Sequence, residues 1–303
     1  MGGFWAALWW RRATAMNGTD VYATARQWTV QLQPMLVEDS VNRGFVFWYG
    51  AGIAYESEPD PVWKLLSAKA CAQLGAAFDE ALRIYPLGQG MGAGPAGNHL
   101  LNVDSLAGLL QLMNHHGNPE DQACVKAHLD TCVGRLMQDS GMWYSQISLA
   151  ADRASDEHTG VSSARGQAWA MLGLAQAMKY YGEPYLAAAL QTCRWWVEQQ
   201  TTEPVMSRGS AQSATPEAVP LADPCASAIA CVALGQMHVH AKGHEWLRAA
   251  AQRERVRLLK SCFSEDGLFA GHLYSIGPEG EQIVETPCSL YFLLEAIMAD
   301  ERD

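Results

Sequence analysis

The sequence predicts an all-α protein built from antiparallel helix hairpins, and two patterns in the chain support this fold class. Apolar residues recur at i, i+3, i+4 and i+7 through most of the 303 residues, which is the period of one helix face. The breaks between these periodic segments alternate between short and long. No segment has the two-residue alternation of a convincing strand.

The helical period predicts eleven helices, with ends placed to within about 2–4 residues. Their ranges are 4–16, 20–35, 44–56, 60–83, 103–115, 119–138, 162–181, 184–200, 222–241, 245–263 and 286–299. The short connections each contain a Gly, Pro or Asn break suited to a helix hairpin and lie near Asn17, Glu58, Gly117, Gly182 and Gly243. The long connections are 36–43, 84–102, 139–161, 201–221 and 264–285.

Hairpins joined in this way can form a ring with every short turn on one face and every long loop on the other. That arrangement is an (α/α)6 barrel, a six-hairpin toroid of twelve helices, and we expect one domain over residues 1–303. Only eleven helices are predicted, so the barrel is expected to lack a first helix before Gly2, leaving a groove that a second copy could cover. A two-domain superhelix is the alternative, but no fixed-period repeat supports it. Long ordered loops are usually functional, so the pocket is expected on the long-loop face.

Composition excludes several classes of function. The chain is 49% hydrophobic and 17% charged, with a net charge of -11, so its field would repel nucleic acid and anionic membranes. No apolar run is long enough for a membrane span. Eight cysteines without a CxxC pair indicate reduced thiols, and we expect a soluble, cytoplasmic protein with neither metal nor cofactor.

Five strings carry a family resemblance in order and spacing: GFWAALWW, NRGFVFWYGAGIAY, SARGQAWAMLGLA, ADPCASAIACVALGQM and SLYFLLEAIM. They resemble helix starts of the unsaturated glucuronyl hydrolases and the related unsaturated rhamnogalacturonyl hydrolases, and they cover nearly the whole chain. The resemblance implies an (α/α)6 barrel that hydrates the C4–C5 double bond of an unsaturated uronic acid. It also implies two aspartates, one of which protonates the vinyl ether and activates water.

Asparagine stands at both of these aspartate positions, as Asn42 and Asn102. An amide forms hydrogen bonds but cannot transfer protons as an acid or base near neutral pH. Both asparagines fall at predicted helix starts, so helix capping is an alternative role. Asp104 is the candidate for a relocated acid, although residues two apart point to different faces of a helix unless the helix begins later.

The candidate ligand-binding set is Trp48, Trp143, Tyr144, His158, Arg165, Gln167 and Trp169. The resemblance matches only His158, Arg165, Gln167 and Trp169 to the family's pocket, Trp143 and Tyr144 stand where the family has other residues, and Trp48 is expected in the core or the pocket wall. Arg165 and Trp169 share a helix face and could present a cation and an aromatic platform to a ligand. They could equally pair with a buried acid and pack in the core. Asp223 is expected to cap a helix.

Three functions therefore remain open at the level of sequence. The first is a non-hydrolytic isomerisation, cyclisation or elimination of a small organic molecule bound in the barrel mouth. Second, the protein could still hydrate unsaturated uronides through a displaced carboxyl such as Asp104 or Asp152. Third, it could be a catalytically silent protein that binds a carbohydrate or metabolite.

Overall fold

The computed structural model describes residues 2–149, 160–199, 223–261, 269, 271–275 and 281–299. The helices of these ranges are α1 (Gly2–Met16), α2 (Thr19–Val30), α3 (Arg43–Phe47), α4 (Ile53–Ser57), α5 (Pro61–Gly75), α6 (Leu106–His116), α7 (Pro119–Leu136), α8 (Ala164–Tyr181), α9 (Leu186–Gln199), α10 (Pro224–His240), α11 (Trp246–Ser261) and α12 (Pro287–Met298). A π-helical turn, Trp48–Gly52, joins α3 to α4. All eleven predicted helical segments are confirmed, because α3, the π turn and α4 together form the third of them.

The expectation of no strands is wrong for the long loops. They contain β1 (Leu100–Asn102), β2 (Gln146–Ser148), β3 (His272–Ser275) and β4 (Glu281–Val284). The strands form two ladders, β1 with β2 and antiparallel β3 with β4. Segments of three or four residues are too short to show a two-residue period, so the sequence pattern could not reveal them.

The described chain divides into two compact units. The first comprises Met1–Arg135 with Ile147–His158, and the second comprises Leu136–Gln146 with Thr159–Asp303. The single domain predicted over residues 1–303 stays a prediction.

The first unit has an aromatic core around Trp10, which is fully buried. Its indole N–H donates to the hydroxyl of Thr29 at 2.8 Å. The rings of Tyr22 and Trp63 contact it edge-on, with centroids 6.0 and 5.9 Å away. Burial of an indole requires a partner for its N–H, and Thr29 on α2 supplies it. This contact fixes α1 against α2.

Helices α3 and α6 of this unit pack closely and run in the same direction. A Cβ atom on Gly44 would lie 3.1 Å from the Cα atom of Leu109, so the two backbones nearly touch. Further along the chain, the ring of Trp48, the first residue after α3, contacts that of His115 near the end of α6, with centroids 5.0 Å apart. Since both contacts advance in the same direction along each chain segment, the two helices begin at the same end of the unit.

The second unit buries charged as well as apolar groups. Helix α10 packs against α8, α11 and α12, and most of its residues are buried. Glu254 on α11 is fully buried, accepts the indole N–H of Trp196 at 2.9 Å and pairs with Arg257 at 3.3 Å. Burial raises the pKa of Glu254, and Arg257 opposes that shift. These partners are what allow a carboxyl group to lie inside the helix layer.

His128 on α7 gives the first unit a predictable sensitivity to acid. Its ring is fully buried, its Nδ1 accepts the backbone N–H of Tyr85 at 3.1 Å, and burial lowers its pKa to about 3. Between the ordinary histidine pKa of about 6.5 and about 3, the unfolded chain binds a proton that the folded chain does not bind. Stability is therefore lost as the pH falls through this window, by up to about 1.4 kcal/mol per pH unit.

We expect His128→Asn, which keeps an acceptor for the Tyr85 N–H, to reduce the loss of unfolding free energy between pH 6.5 and pH 4, the start and near the end of that window. Urea unfolding at both pH values measures the loss. His99→Asn, at an exposed histidine, is the matched control and should leave it unchanged. Equal acid sensitivity in wild type and His128→Asn would contradict the assignment.

Candidate functional site

Backbone hydrogen bonds tie the long loops of the first unit together beside the starts of α3 and α6. Leu87 is the central residue, because its C=O accepts the N–H of Val41 at 3.2 Å and its N–H donates to the C=O of Leu100 at 3.0 Å. Leu87 is therefore hydrogen-bonded to both segments, which brings the backbones at residues 41 and 100 into one loop cluster. This arrangement holds Asn42 and Asn102 at the same edge of the unit.

The glycine-rich stretch 84–102 is required by close packing of these loops. Gly88 has a φ of +80°, and a Cβ atom there would lie 2.3 Å from the backbone oxygen of Asp39. A Cβ atom on Gly97 would overlap the oxygen of Gly88. The N–H of Gly90 also donates to the C=O of Asp39 at 2.7 Å. Only glycine fits Gly88, since it needs both positive φ and no side chain.

The two candidate asparagines have different local roles. Asn42 is half-buried and occupies the N-cap position of α3, but its side chain makes no capping hydrogen bond. Asn102 ends β1, and its Oδ1 accepts the backbone N–H of Asp104 at 2.8 Å. The capping role predicted for Asn102 is wrong, because α6 begins later and Ser105 is at its N-cap. Asn102 instead closes an Asx turn.

Asp104 lies in this turn and not on a helix. It is half-buried, between β1 and α6. Because α6 begins at Leu106, Asn102 and Asp104 are not on a helix and are not separated by opposite helix faces. The backbone of Asp104 is fixed beside Asn102 by the Asx hydrogen bond. Asp104 is thus the carboxyl group that the described chain holds next to Asn102.

Arg43 is a positioning residue that sequence reasoning missed. Its side chain is buried, donating from Nε to the C=O of Ser40 at 3.0 Å and from Nη1 to the C=O of Leu36 at 3.1 Å. Desolvation lowers its pKa, and Asp39 opposes that shift. The guanidinium group therefore holds the 36–43 loop against the start of α3, immediately beside Asn42. A single arginine after a long loop gives no signal of this in the sequence.

Trp48 lies away from the two asparagines. It begins the π-helical turn, is 3% exposed, and contacts His115 in the last turn of α6. Asn102 and Asp104 precede the first turn of that helix. An eleven-residue helix is about 16 Å long, so α6 separates Trp48 from them by most of its length. The geometry gives Trp48 a core role.

In the second unit, the ARGQAW segment has a structural partner for each of its distinctive residues. Ser163 caps α8 by accepting the N–H of Gly166 at 3.0 Å, and its hydroxyl contacts that of Ser145 at 2.8 Å. A Cβ atom on Gly166 would overlap Ser145, so this position requires glycine. The motif therefore marks a packing arrangement at the start of α8.

Gln167 and Trp143 form a buried clamp. The Oε1 of Gln167 accepts the backbone N–H of Trp143 at 2.8 Å, while its Nε2 donates to the C=O groups of Gly141 and Thr192. The indole N–H of Trp143 donates to the Thr192 hydroxyl at 2.9 Å. Both side chains are at most 1% exposed. These hydrogen bonds occupy the polar atoms through which either residue would bind a ligand.

Arg165 and Trp169 have the structural partners that were the alternative to ligand contact. Arg165 Nε lies 2.7 Å from Asp223 Oδ2, and Trp169 packs edge-on against Phe292 at 5.3 Å. Asp223 caps α10 as predicted, accepting the N–H groups of Cys225 and Ala226. Burial raises the pKa of Asp223, and Arg165 and the two N–H groups oppose the shift. About a third of the Arg165 side chain remains exposed.

Two members of the predicted set remain. Tyr144 is half-buried, and its ring lies so close to Gly160 that a Cβ atom on Gly160 would overlap it. His158 lies outside the described residues, as does Asp152. The structure therefore groups Asn42, Asn102 and Asp104 in the first unit, and it gives Trp143, Gln167 and Trp169 structural roles in the second.

No group of three or more His, Cys, Asp or Glu side chains in the described ranges could hold a metal ion. Among the helices described, none is long and apolar enough to cross a membrane.

Solved structures with the same fold are similar to this chain over 99% of its length. The unsaturated glucuronyl hydrolase from Bacillus sp. GL1, responsible for the degradation of glycosaminoglycan, matches with a TM-score of 0.79, 18% identity and coverage of 85% of that chain. An Asp-to-Asn variant of UGL with dGlcA-Glc-Rha-Glc matches with a TM-score of 0.81, 19% identity and 85% of that chain. The fold is that of the unsaturated glucuronyl hydrolases.

Other comparisons set the limits of this likeness. An unsaturated glucuronyl hydrolase specific for heparin has a TM-score of 0.76 at 18% identity, with 85% of that chain covered. No protein-family model and no curated protein matches the sequence. At this identity the comparisons show the fold, and they confirm the all-α, six-hairpin class that the sequence predicts.

The clamp around Gln167 predicts an effect on stability. Gln167→Met keeps the volume but removes the side-chain partner of the buried Trp143 N–H and of the Gly141 C=O, so we expect the unfolding free energy to fall by about 1–3 kcal/mol. Gln176→Met on the same helix is the matched control and should cost less, because Gln176 is equally buried but has only its Nε2 bonded, to Gln236. Chemical denaturation measures both. An unchanged stability of Gln167→Met would favour the ligand-binding role instead.

Proposed function

We propose that this protein converts a small organic molecule by an isomerase, cyclase or lyase type of reaction, in the pocket of a glycosidase fold, without the proton transfer of a hydrolase. The observation that supports this proposal is the pair of amides, Asn42 and Asn102, at the two positions where the family resemblance expects aspartates. Their loops are both hydrogen-bonded to Leu87. The pair is thus one feature of the site.

Such a pair of amides is suited to positioning a substrate and polarising one of its oxygen atoms. The Asn102 carbonyl oxygen accepts the Asp104 N–H, an arrangement that directs its NH2 group away from that contact. An amide N–H aimed at an oxygen that gains charge in the transition state can contribute about 10²–10³ in rate. Isomerisation, cyclisation and elimination can use that stabilisation of charge. Hydration of a vinyl ether needs, in addition, a group that donates a proton.

Asp104 supports a second candidate, hydration of unsaturated uronides. Its turn fixes it beside Asn102, so a carboxyl group is available within the same loop edge. The similar solved structures include hydrolases named for unsaturated glucuronyl substrates, one of them specific for heparin. In this alternative Asp104 would protonate the double bond and activate water.

One experiment separates these functions. The protein is incubated with unsaturated chondroitin and heparin disaccharides and with a panel of neutral sugars and polycyclic metabolites. Absorbance of the conjugated double bond and product masses are then followed. We expect no loss of absorbance with the disaccharides, and we expect a product in the panel that has the substrate mass or has lost one water. Asn102→Ala should slow that conversion about 10²–10³-fold, whereas Asn98→Ala, on an exposed part of the same loop, should not.

Two other outcomes would contradict the proposal. Loss of absorbance that is abolished by Asp104→Asn, but not by the exposed control Asp20→Asn, would replace the proposal with the hydrolase. Saturable binding without any product would instead indicate a catalytically silent binding protein.

A further inference from the structure

A groove of about 250 Å³ lies among α10, α11 and α12 in the second unit. Its floor is apolar and includes the buried residues Cys231, Val232 and Ala296. Arg248 and Arg255, both from α11, also line it. A concave site with an apolar floor and a few charged groups is the usual form of a small-molecule site.

This groove lies in a different part of the unit from the Arg165–Asp223 pair. Asp223 caps the first turn of α10, whereas Gly235, which lines the groove, lies in the last two turns. Gly235 is twelve residues beyond Asp223, which corresponds to about 18 Å of helix. The proposed function rests on Asn42 and Asn102 of the first unit, so it uses none of the residues of this groove.

The charge of α11 indicates what the groove would bind. The whole chain has a net charge of -11, yet the α11 sequence WLRAAAQRERVRLLKS carries four arginines and one lysine against one glutamate. That glutamate, Glu254, is buried and pairs with Arg257. Arg248 and Arg255 are seven residues apart, so they share one face of the helix. Among the described lining residues, Glu295 of α12 is the acid, and the ring of His238, which lies 3.9 Å from Glu245, also lines the groove.

We propose that this groove binds a small organic anion, with its carboxylate or phosphate group at Arg248 and Arg255 and its apolar body on the floor. Guanidinium groups form paired, charge-assisted hydrogen bonds with both kinds of oxyanion. A local positive field on an acidic protein also concentrates anions at this position. Cys231, Val232 and Ala296 remove the body of the ligand from water.

Gly235 offers a steric test of the groove. It lies within α10, lines the groove, and a Cβ atom there would meet no other atom within 4 Å. A larger side chain at this position would therefore extend into open space and fill the groove without disturbing the packing. Gly134 on α7 has the same open surroundings and supplies a matched control for the change in helix propensity.

Isothermal titration with inorganic phosphate and with glutarate, at constant ionic strength, tests the proposal, and circular dichroism verifies that each variant is folded. We expect saturable binding of at least one anion, while glutaramide, the neutral analogue of glutarate, does not bind. Arg248→Gln and Arg255→Gln should each weaken binding about tenfold. Gly235→Leu should abolish binding. Arg253→Gln, an exposed arginine of the same helix, and Gly134→Leu should leave it unchanged.

The preferred probe identifies the ligand group. Binding of phosphate alone indicates a phosphorylated ligand, and binding of glutarate alone indicates a carboxylic acid. The proposal is overturned if neither anion binds the wild-type protein or if glutaramide binds as well as glutarate. It is also overturned if Arg253→Gln weakens binding as much as the two groove variants, because the attraction would then come from the helix charge as a whole.

Discussion

The candidate site depends on the two backbone hydrogen bonds of Leu87, one with Val41 and one with Leu100. A long loop loses much conformational entropy when it is ordered, so residues 36–43 and 84–102 need such fixed partners to hold a side chain in place. Gly88 and Gly97 permit the close approach, and Arg43 secures the other end of the first loop. Without these contacts Asn42 and Asn102 would belong to two separate loops.

In the second unit, the residues of the ARGQAW segment have packing roles. Gly166 gives room to Ser145, Gln167 holds Trp143, and Arg165 pairs with the cap of α10. Each contact stabilises the start of α8 irrespective of any ligand. Packing alone can therefore account for these residues, whichever residues stand at the expected acid positions. This accounts for a chain that has the hydrolase fold at 18–19% identity together with asparagine at both expected acid positions.

The sequence was informative about helices because a buried helix face imposes its period on the chain, as in α8 and α10. It was less informative where long-range contacts decide. Helix α5 was predicted to reach residue 83 but ends at Gly75, since Asp79 and Ile84 form a bridge that closes a turn. The start of α6 was placed too early for the same reason, because β1 pairs with a strand some 45 residues later. The resemblance identifies Asn42 and Asn102 as the two positions of interest. It does not predict the backbone hydrogen bonds of Leu87 that join their loops.

Coupled titration tests, without any ligand, whether positions 42 and 102 lie close enough together to form one site. The carboxyl groups introduced by Asn42→Asp and Asn102→Asp are titrated by NMR in each single variant and in the double variant. In general, two carboxylates within about 10 Å of each other repel by about one pKa unit or more at an effective dielectric constant of about 20. We expect one group in the double variant to titrate about one unit higher than in its single variant. Identical pKa values in single and double variants would contradict a shared site.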